Sequence, residues 1–141
     1  MEKLYRIEKD FLGEKRIELN KYYGIQTLRA KENFNITKTD ISLFPNFIKS
    51  LAKVKKACAL TNFELGDLTD IQKDAIVQAC NEIIDGKFRD QFIVDPIQGG
   101  AGTSTNMNVN EVIANRALEI LGKPKSSYDI IHPNNHINMS Q

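Results

Sequence analysis

The sequence predicts a mainly α fold with a small β-hairpin near the N-terminus. Three long segments between residues 45 and 122 repeat apolar side chains every three or four positions, which is the helical period. Around Gly13, charged and apolar residues partly alternate, as they do in a short two-stranded hairpin. The length of 141 residues suits one domain with a hydrophobic core of its own.

The first elements along the chain are the hairpin and a short helix. Ile7 and Ile17 lie in charged runs on either side of Gly13, so residues 5–19 are expected to form the hairpin. Residues 22–34 then indicate a short helix with a glycine, Gly24, in its first turn.

The next predicted helix spans residues 47–65. Pro45 suits its first turn and Gly66 its end. Side chains at a 4-3-4-3-4 spacing are expected to form its buried face: Phe47, Leu51, Val54, Cys58, Thr61 and Leu65. The lysines of this segment, Lys53, Lys55 and Lys56, are expected on solvated faces.

Two further helices are predicted from caps and apolar faces. Thr69 and Gln72 have the form of a capping box at the start of the first helix, and Gly86 follows its end. The second helix ends at Gly122, with Pro124 beyond it. The core positions are expected to be Ile76, Ala79, Cys80, Ile83 and Ile84 in the first helix, and Val109, Val112, Ile113, Ala117, Ile120 and Leu121 in the second.

Composition and charge argue against two classes of partner. The chain carries 19 basic and 18 acidic residues, a net charge of +1, which gives no electrostatic footprint for nucleic acid or an anionic membrane. No apolar run approaches the length of a membrane span, and no signal peptide is visible. Cys58 and Cys80 are expected to be buried free thiols, which fits a reducing cytoplasm.

The segment with the strongest functional signal is QGGAGTSTNMN, residues 98–108. Gly99, Gly100 and Gly102 fall within four residues and precede a helix. A dinucleotide fingerprint would need a further glycine at position 105, which is Thr105, and a P-loop would need Gly-Lys-Ser/Thr. Neither phosphate motif is therefore present.

A helix start of this composition suits a carboxylate or a phosphate. Its first backbone N–H groups are unpaired and partly positive, and glycines let a ligand approach them closely. A commoner role for Thr103, Ser104 or Thr105 is simply to cap the helix. Asn108 with Glu111 offers another cap, so the first helical residue stays open.

His132 and His136 raise the question of a metal site. Their spacing of four would place them on one helix face. Pro133, however, directly follows His132 and more commonly marks a turn or a helix start. Because no third ligand is apparent, no metal is predicted.

Seven segments together carry a family resemblance. They are residues 98–104 (QGGAGTS), 106–108 (NMN), 110–117 (NEVIANRA), 10–14 (DFLGE), 22–30 (YYGIQTLRA), 90–95 (DQFIVD) and 133–141 (PNNHINMSQ). Over essentially the whole chain they resemble the N-terminal region of the aspartase/fumarase superfamily. The loop Ala101-Gly102-Thr103-Ser104 is closer to the aspartase form than to the Ser-Gly-Thr-Gln form of class II fumarases.

The resemblance implies that residues 1–141 are the N-terminal domain of a longer enzyme, which continues into a central helical bundle and a C-terminal domain. That enzyme would be a cytoplasmic homotetramer without a cofactor. It would be a carbon–nitrogen lyase, an aspartate ammonia-lyase, converting L-aspartate reversibly to fumarate and ammonia through an aci-carboxylate intermediate. The isolated domain would lack the catalytic base and be inactive. The alternatives are a class II fumarase, acting on malate and fumarate, and a non-catalytic helical interaction module.

The resemblance also implies which residues bind the substrate. Thr103 is expected to contact it directly, and Ser104 and Asn106 are expected to form or support the wall of the site. The loop is expected to be shaped by Gly99, Gly100 and Gly102.

A second, non-catalytic dicarboxylate site is implied at His132, Asn134 and Asn135. Asn135 stands where the family often has Asp, which is a departure from the pattern. The simpler interpretation of this segment is a turn that leads into the next helix.

Overall fold

The computed structural model describes residues 4–139, and within that range the protein is mainly helical with one antiparallel hairpin. The strands are β1 (Tyr5–Asp10) and β2 (Gly13–Glu18), and the helices are α1 (Ile25–Asn33), α2 (Pro45–Glu64), α3 (Asp70–Ile84) and α4 (Thr103–Ile120). Short helical turns lie at Ile41–Leu43 and Arg89–Gln91, and a π-helical segment at Pro133–Asn138. The predicted fold class is confirmed. Ser140 and Gln141, which end the family-like segment 133–141, lie outside the described residues.

The hairpin forms where it was predicted. Tyr5 pairs with Glu18 and Asp10 with Gly13, so the turn consists of the two residues between the strands. Gly13 has φ +111°, a conformation that favours glycine. The side chain of Ile17 is buried and that of Ile7 is exposed, so the hairpin covers the core with one face.

The buried face of α2 is offset by one residue from the predicted face. Its core positions are Ile48, Ala52, Lys55, Ala59 and Asn62. The predicted face is largely exposed: Phe47 is 48% exposed, Val54 52% and Leu65 71%. Both sets of positions share the same helical spacing, so periodicity could not separate them. The positions of the larger apolar side chains predicted the wrong buried face, because the face of α2 that packs on the core carries mostly small and polar residues.

Helices α3 and α4 follow their predicted patterns. Thr69 Oγ1 accepts the Gln72 N–H at 3.3 Å, and Gln72 Oε1 accepts the Thr69 N–H at 3.1 Å, which confirms the capping box. Helix α4 is buried on nearly all sides, polar residues included. Its core side chains are Val109, Val112, Ile113, Ala114, Ala117 and Leu118. Three residues that were expected in the core are only partly buried: Ile84 of α3, and Ile120 and Leu121 at the end of α4.

Glu111 in the middle of α4 caps a different helix from the one expected. Its carboxylate accepts hydrogen bonds from the backbone N–H groups of Gly24, Gln26 and Thr27 at 2.8, 2.9 and 3.0 Å, and from Thr27 Oγ1 at 2.5 Å. Glu8 of β1 accepts the Ile25 N–H at 2.8 Å. These carboxylates satisfy the unpaired donors at the start of α1. Helix α1 therefore begins at Ile25, later than predicted.

Gly24, the N-cap residue of α1, lies directly against the carboxylates of Glu111 and Glu8. A Cβ at Gly24 would lie 2.8 Å from Glu111 Cδ and 2.8 Å from Glu8 Oε2. Those carboxylates are held by their hydrogen bonds and cannot move aside. Glycine is therefore needed at position 24 for space, and not for its backbone angles, since φ is −116°.

The two cysteines differ in their surroundings. Both thiols are free, but only Cys80 is fully buried. Burial raises the pKa of Cys80 to about 12, so its thiol stays protonated and unreactive. Cys58 is half-buried, so the expectation that it lies in the core is wrong.

Candidate functional site

The glycine loop ends directly at the start of α4. Helix α4 begins at Thr103, and Gly102 is its N-cap with φ +80°. Gly100 has φ +83°. Both residues adopt the left-handed conformation that side chains disfavour, which explains why the turn into α4 carries glycines. A Cβ at Gly99 would touch the Phe34 ring at 3.4 Å.

The start of α4 is capped by Gln98 and not by its own hydroxyl residues. Gln98 Oε1 accepts the Thr105 N–H at 2.9 Å, and Gln98 Nε2 donates to Thr105 Oγ1 at 2.8 Å. Gly102, as N-cap, has no side chain to contribute. Neither Thr103 Oγ1 nor Ser104 Oγ makes a hydrogen bond to any residue within 4–139. The simple capping explanation for these two hydroxyls is therefore not what the structure shows.

A cavity of about 860 Å³ opens at this helix start. Thr103, Thr105 and Asn106 line it together with Gln98 and Gly102. Apolar side chains form another part of its lining: Ile41, Phe44, Phe47 and Leu51. The partial positive charge of the α4 N-terminus points to this side. Of the predicted substrate residues, Thr103 and Asn106 thus share one cavity, whereas Ser104 does not line it.

Lys55 of α2 contacts Asn106, one of the residues that line this cavity. It is only 2% exposed, and its Nζ donates to Asn106 Oδ1 at 2.7 Å. Burial lowers the pKa of Lys55 to about 8. The expectation that Lys55 lies on a solvated face is therefore wrong. The helical spacing of Ile48, Ala52 and Lys55 is a signal for a buried face, but a lysine next to small residues is more typical of a solvent-exposed face.

The predicted second dicarboxylate site borders a different cavity, of about 520 Å³. His132 and Asn134 line it, and Asn135 does not. His132 Nδ1 accepts the N–H groups of Asn134 and Asn135 at 3.0 and 3.4 Å, so it caps the π-helical segment. Asp10 and Glu111 line the same cavity, and their carboxylates would oppose a dianion. The geometry favours the turn interpretation, and the second site stays a prediction.

The two histidines are engaged with the backbone. His136 Nδ1 accepts the His132 N–H at 2.8 Å. Burial lowers the pKa of both imidazoles. In residues 4–139, no group of three or more His, Cys, Asp or Glu side chains is placed to hold a metal ion. In the same range, no helix has both the length and the apolar character needed to span a membrane.

The chain is thus a helical domain that presents hydroxyls, an amide and a helix N-terminus to a cavity. The family model described as lyase matches residues 13–141. The chain therefore belongs to the lyase family.

Particular members of that family are very similar to the chain. It is 60% identical over 136 residues to an aspartate ammonia-lyase of Helicobacter pylori strain J99, and 61% identical over 140 residues to one of Bacillus subtilis strain 168. These matches cover 96% and 99% of the chain but only 29% of each relative. The chain thus spans less than a third of the length of these relatives.

Solved structures agree with the sequence comparison. A fumarate lyase:delta crystallin from Brucella melitensis, bound to cobalt, superimposes with a TM-score of 0.96 at 54% identity over 98% of the chain. A class II fumarase from Schistosoma mansoni superimposes with a TM-score of 0.87 at 41% identity, also over 98% of the chain. The chain covers 30% and 29% of those structures.

Proposed function

We propose that the full-length protein is an aspartate ammonia-lyase, and that this chain supplies one wall of its substrate site. The observation that carries the proposal is the helix start at Thr103, whose hydroxyl has no partner in the described chain and borders a cavity. The choice of substrate is supported by identities of 60% and 61% to relatives of that name, against 41% to the class II fumarase.

The chemistry of the elimination suits these groups. A base removes a proton from the carbon beside a carboxylate of L-aspartate, and the electron pair left on that carbon moves onto the carboxylate. The resulting aci-carboxylate carries extra negative charge on its oxygens. The double bond then forms as the carbon–nitrogen bond breaks, and ammonia leaves with fumarate. Donors fixed in advance around those oxygens lower the barrier.

The residues of this chain would bind and orient the substrate. Thr103 Oγ1 and the first N–H groups of α4 donate hydrogen bonds to a carboxylate, and the helix dipole favours its charge. Asn106 contributes a fixed amide to the same cavity. Ser104 does not line the cavity, and so it supports the helix start instead of contacting the ligand. The proton-abstracting base is expected from another part of the full-length protein.

The assembly and location of the enzyme are part of the same proposal. Residues 1–141 act as the N-terminal domain of a cytoplasmic homotetramer, and the remaining chain completes each site. The apolar wall at Phe44, Phe47 and Leu51 supports this, since such a surface suits contact with further protein.

The test is to incubate the full-length protein with L-aspartate or with L-malate and to follow the ultraviolet absorbance of fumarate. The proposal expects fumarate from aspartate together with an equal amount of ammonia, and none from malate. Fumarate formed from malate alone would replace the proposal with a class II fumarase. Fumarate from neither substrate would favour a non-catalytic module.

A further inference from the structure

A cluster of four polar side chains joins α2, α4 and the π-helical segment behind the Thr103 cavity. Lys55 Nζ donates to Asn106 Oδ1 at 2.7 Å and to Asn138 Oδ1 at 3.3 Å. Asn138 Oδ1 also accepts Asn106 Nδ2 at 2.8 Å and Asn110 Nδ2 at 3.2 Å. The cluster therefore fixes both ends of the Asn106 amide, which forms part of the cavity wall.

The charge of Lys55 has no carboxylate partner in the part of the chain that the structure describes. The ion pairs found there involve other lysines and arginines, and Lys55 donates its hydrogen bonds to the neutral amides of Asn106 and Asn138. A fully buried lysine is normally paired with an acid, because removing an ammonium from water is costly. Asn110 Oδ1, in the same cluster, is buried without a hydrogen-bond partner. Both features reduce the stability of the fold, so a purely structural role does not explain the cluster.

The positive charge lies where it acts on the cavity. Asn106 contacts Lys55 and also lines the cavity, so its side chain lies between the ammonium and the cavity. The N-terminus of α4 adds partial positive charge to the same space. Charges interact strongly across a dry protein interior, and a ligand with two negative charges gains more than a ligand with one. An anionic ligand would thereby serve as the missing counter-charge of Lys55.

We propose that Lys55 is a specificity-determining and positioning residue that makes the Thr103 cavity prefer doubly charged carboxylates over singly charged ones. Its ammonium supplies the charge, and its hydrogen bond to Asn106 Oδ1 orients the amide of the wall. This inference rests on the proposed function, and it names the charge selectivity of that same site.

The test uses the full-length enzyme, with succinate and butyrate as competitive ligands that differ in charge. Lys55→Met removes the charge but keeps the length of the side chain. Lys53→Met is the matched control, since it makes the same charge change at an exposed position of α2. We expect Lys55→Met to raise the Kd of succinate at least about tenfold and that of butyrate at most about threefold. Lys53→Met should leave both unchanged.

Two results would overturn the inference. Equal weakening of succinate and butyrate would mean that Lys55 only supports the packing of the site. A Lys55→Met variant that behaves like Lys53→Met would mean that its charge does not reach the ligand.

A second measurement decides the matter if Lys55→Met does not fold. In the unsubstituted enzyme, the Kd of succinate should rise above pH 8, by up to about tenfold per pH unit, because Lys55 loses its proton in the ligand-free state. The titratable groups that interact electrostatically with Lys55 are the thiols of Cys58 on α2 and Cys80 on α3, and Cys80, with a pKa of about 12, stays protonated across this pH range. A Kd that stays constant between pH 7 and pH 9.5 would refute the inference.

The inference and the proposed function fail separately. If the unsubstituted full-length protein neither forms fumarate nor binds succinate, the proposed function is wrong. If it does both and the selectivity does not depend on Lys55, only the role of Lys55 is wrong.

Discussion

Replacing Glu111 by alanine should release the start of α1 from α4. Three backbone N–H groups and one hydroxyl donate to this carboxylate, and they belong to Gly24, Gln26 and Thr27. A buried donor left without an acceptor costs about 1–3 kcal/mol. The Thr27 hydroxyl can rotate to another acceptor, and water entering the vacated space can serve some of the amides. We therefore expect local opening of α1 to become easier by about 3 kcal/mol.

The assay is amide hydrogen exchange of the full-length protein, read by mass spectrometry on peptides that cover residues 24–27. Because 1.4 kcal/mol corresponds to a factor of ten, exchange of these amides should accelerate about 100-fold. Measuring at pH 8 keeps the carboxylate of the parent protein ionised. Glu64→Ala is the control, since Glu64 is exposed at the end of α2. Exchange within about threefold of the parent in Glu111→Ala would refute the claim that this carboxylate holds α1.

Three further outcomes test the same network and its neighbours. Gly24→Ala should destabilise the protein by about 2 kcal/mol, because its Cβ would overlap the fixed carboxylates of Glu111 and Glu8; an unchanged melting temperature would contradict this. Burial raises the pKa of Glu111 to about 7, above the 4.5 of the unfolded chain. The folded state thus holds its proton more tightly, so Glu111 should add stability as the pH falls from 7 to 4.5. Glu111→Gln should remove that rise from thermal-melting profiles, and an unaltered profile would count against it. Arg116 forms two hydrogen bonds to Glu82, at 2.6 and 2.9 Å, which link α4 to α3. Arg116→Lys should cost about 1 kcal/mol in urea unfolding, because lysine cannot form both bonds; no loss of stability would show that the paired geometry is unimportant.

The helices and the hairpin could be predicted because their signals are local. The capping box of Thr69 and Gln72, and the glycine turn at Gly13, act within a few residues. The buried face of α2 could not be predicted in the same way. Two faces of that helix share one spacing, and only contact with the other helices decides which is buried. The exposed Phe47 shows that the size of apolar residues alone does not determine which face is buried.

The candidate site was predicted in part. The loop and Thr103 were identified from small residues ahead of a helix and from the family resemblance, and Asn106 lies in the same cavity. Lys55 was not identified, because it is 51 residues away from Asn106 along the chain and meets it only through packing. Glu111 was one of the possible caps of α4, and its contacts with α1 could not be predicted for the same reason, since they join residues far apart along the chain.

The central claim is that the Thr103 hydroxyl binds the substrate, and it is tested most directly by kcat/KM of full-length Thr103→Val with L-aspartate. Valine keeps the shape of threonine and removes only the hydroxyl. Thr61→Val, at an exposed position of α2, is the matched control. We expect kcat/KM to fall about 100-fold or more, as for the loss of one donor to a developing oxyanion, with an unchanged melting temperature. A value of kcat/KM equal to that of Thr61→Val would contradict it.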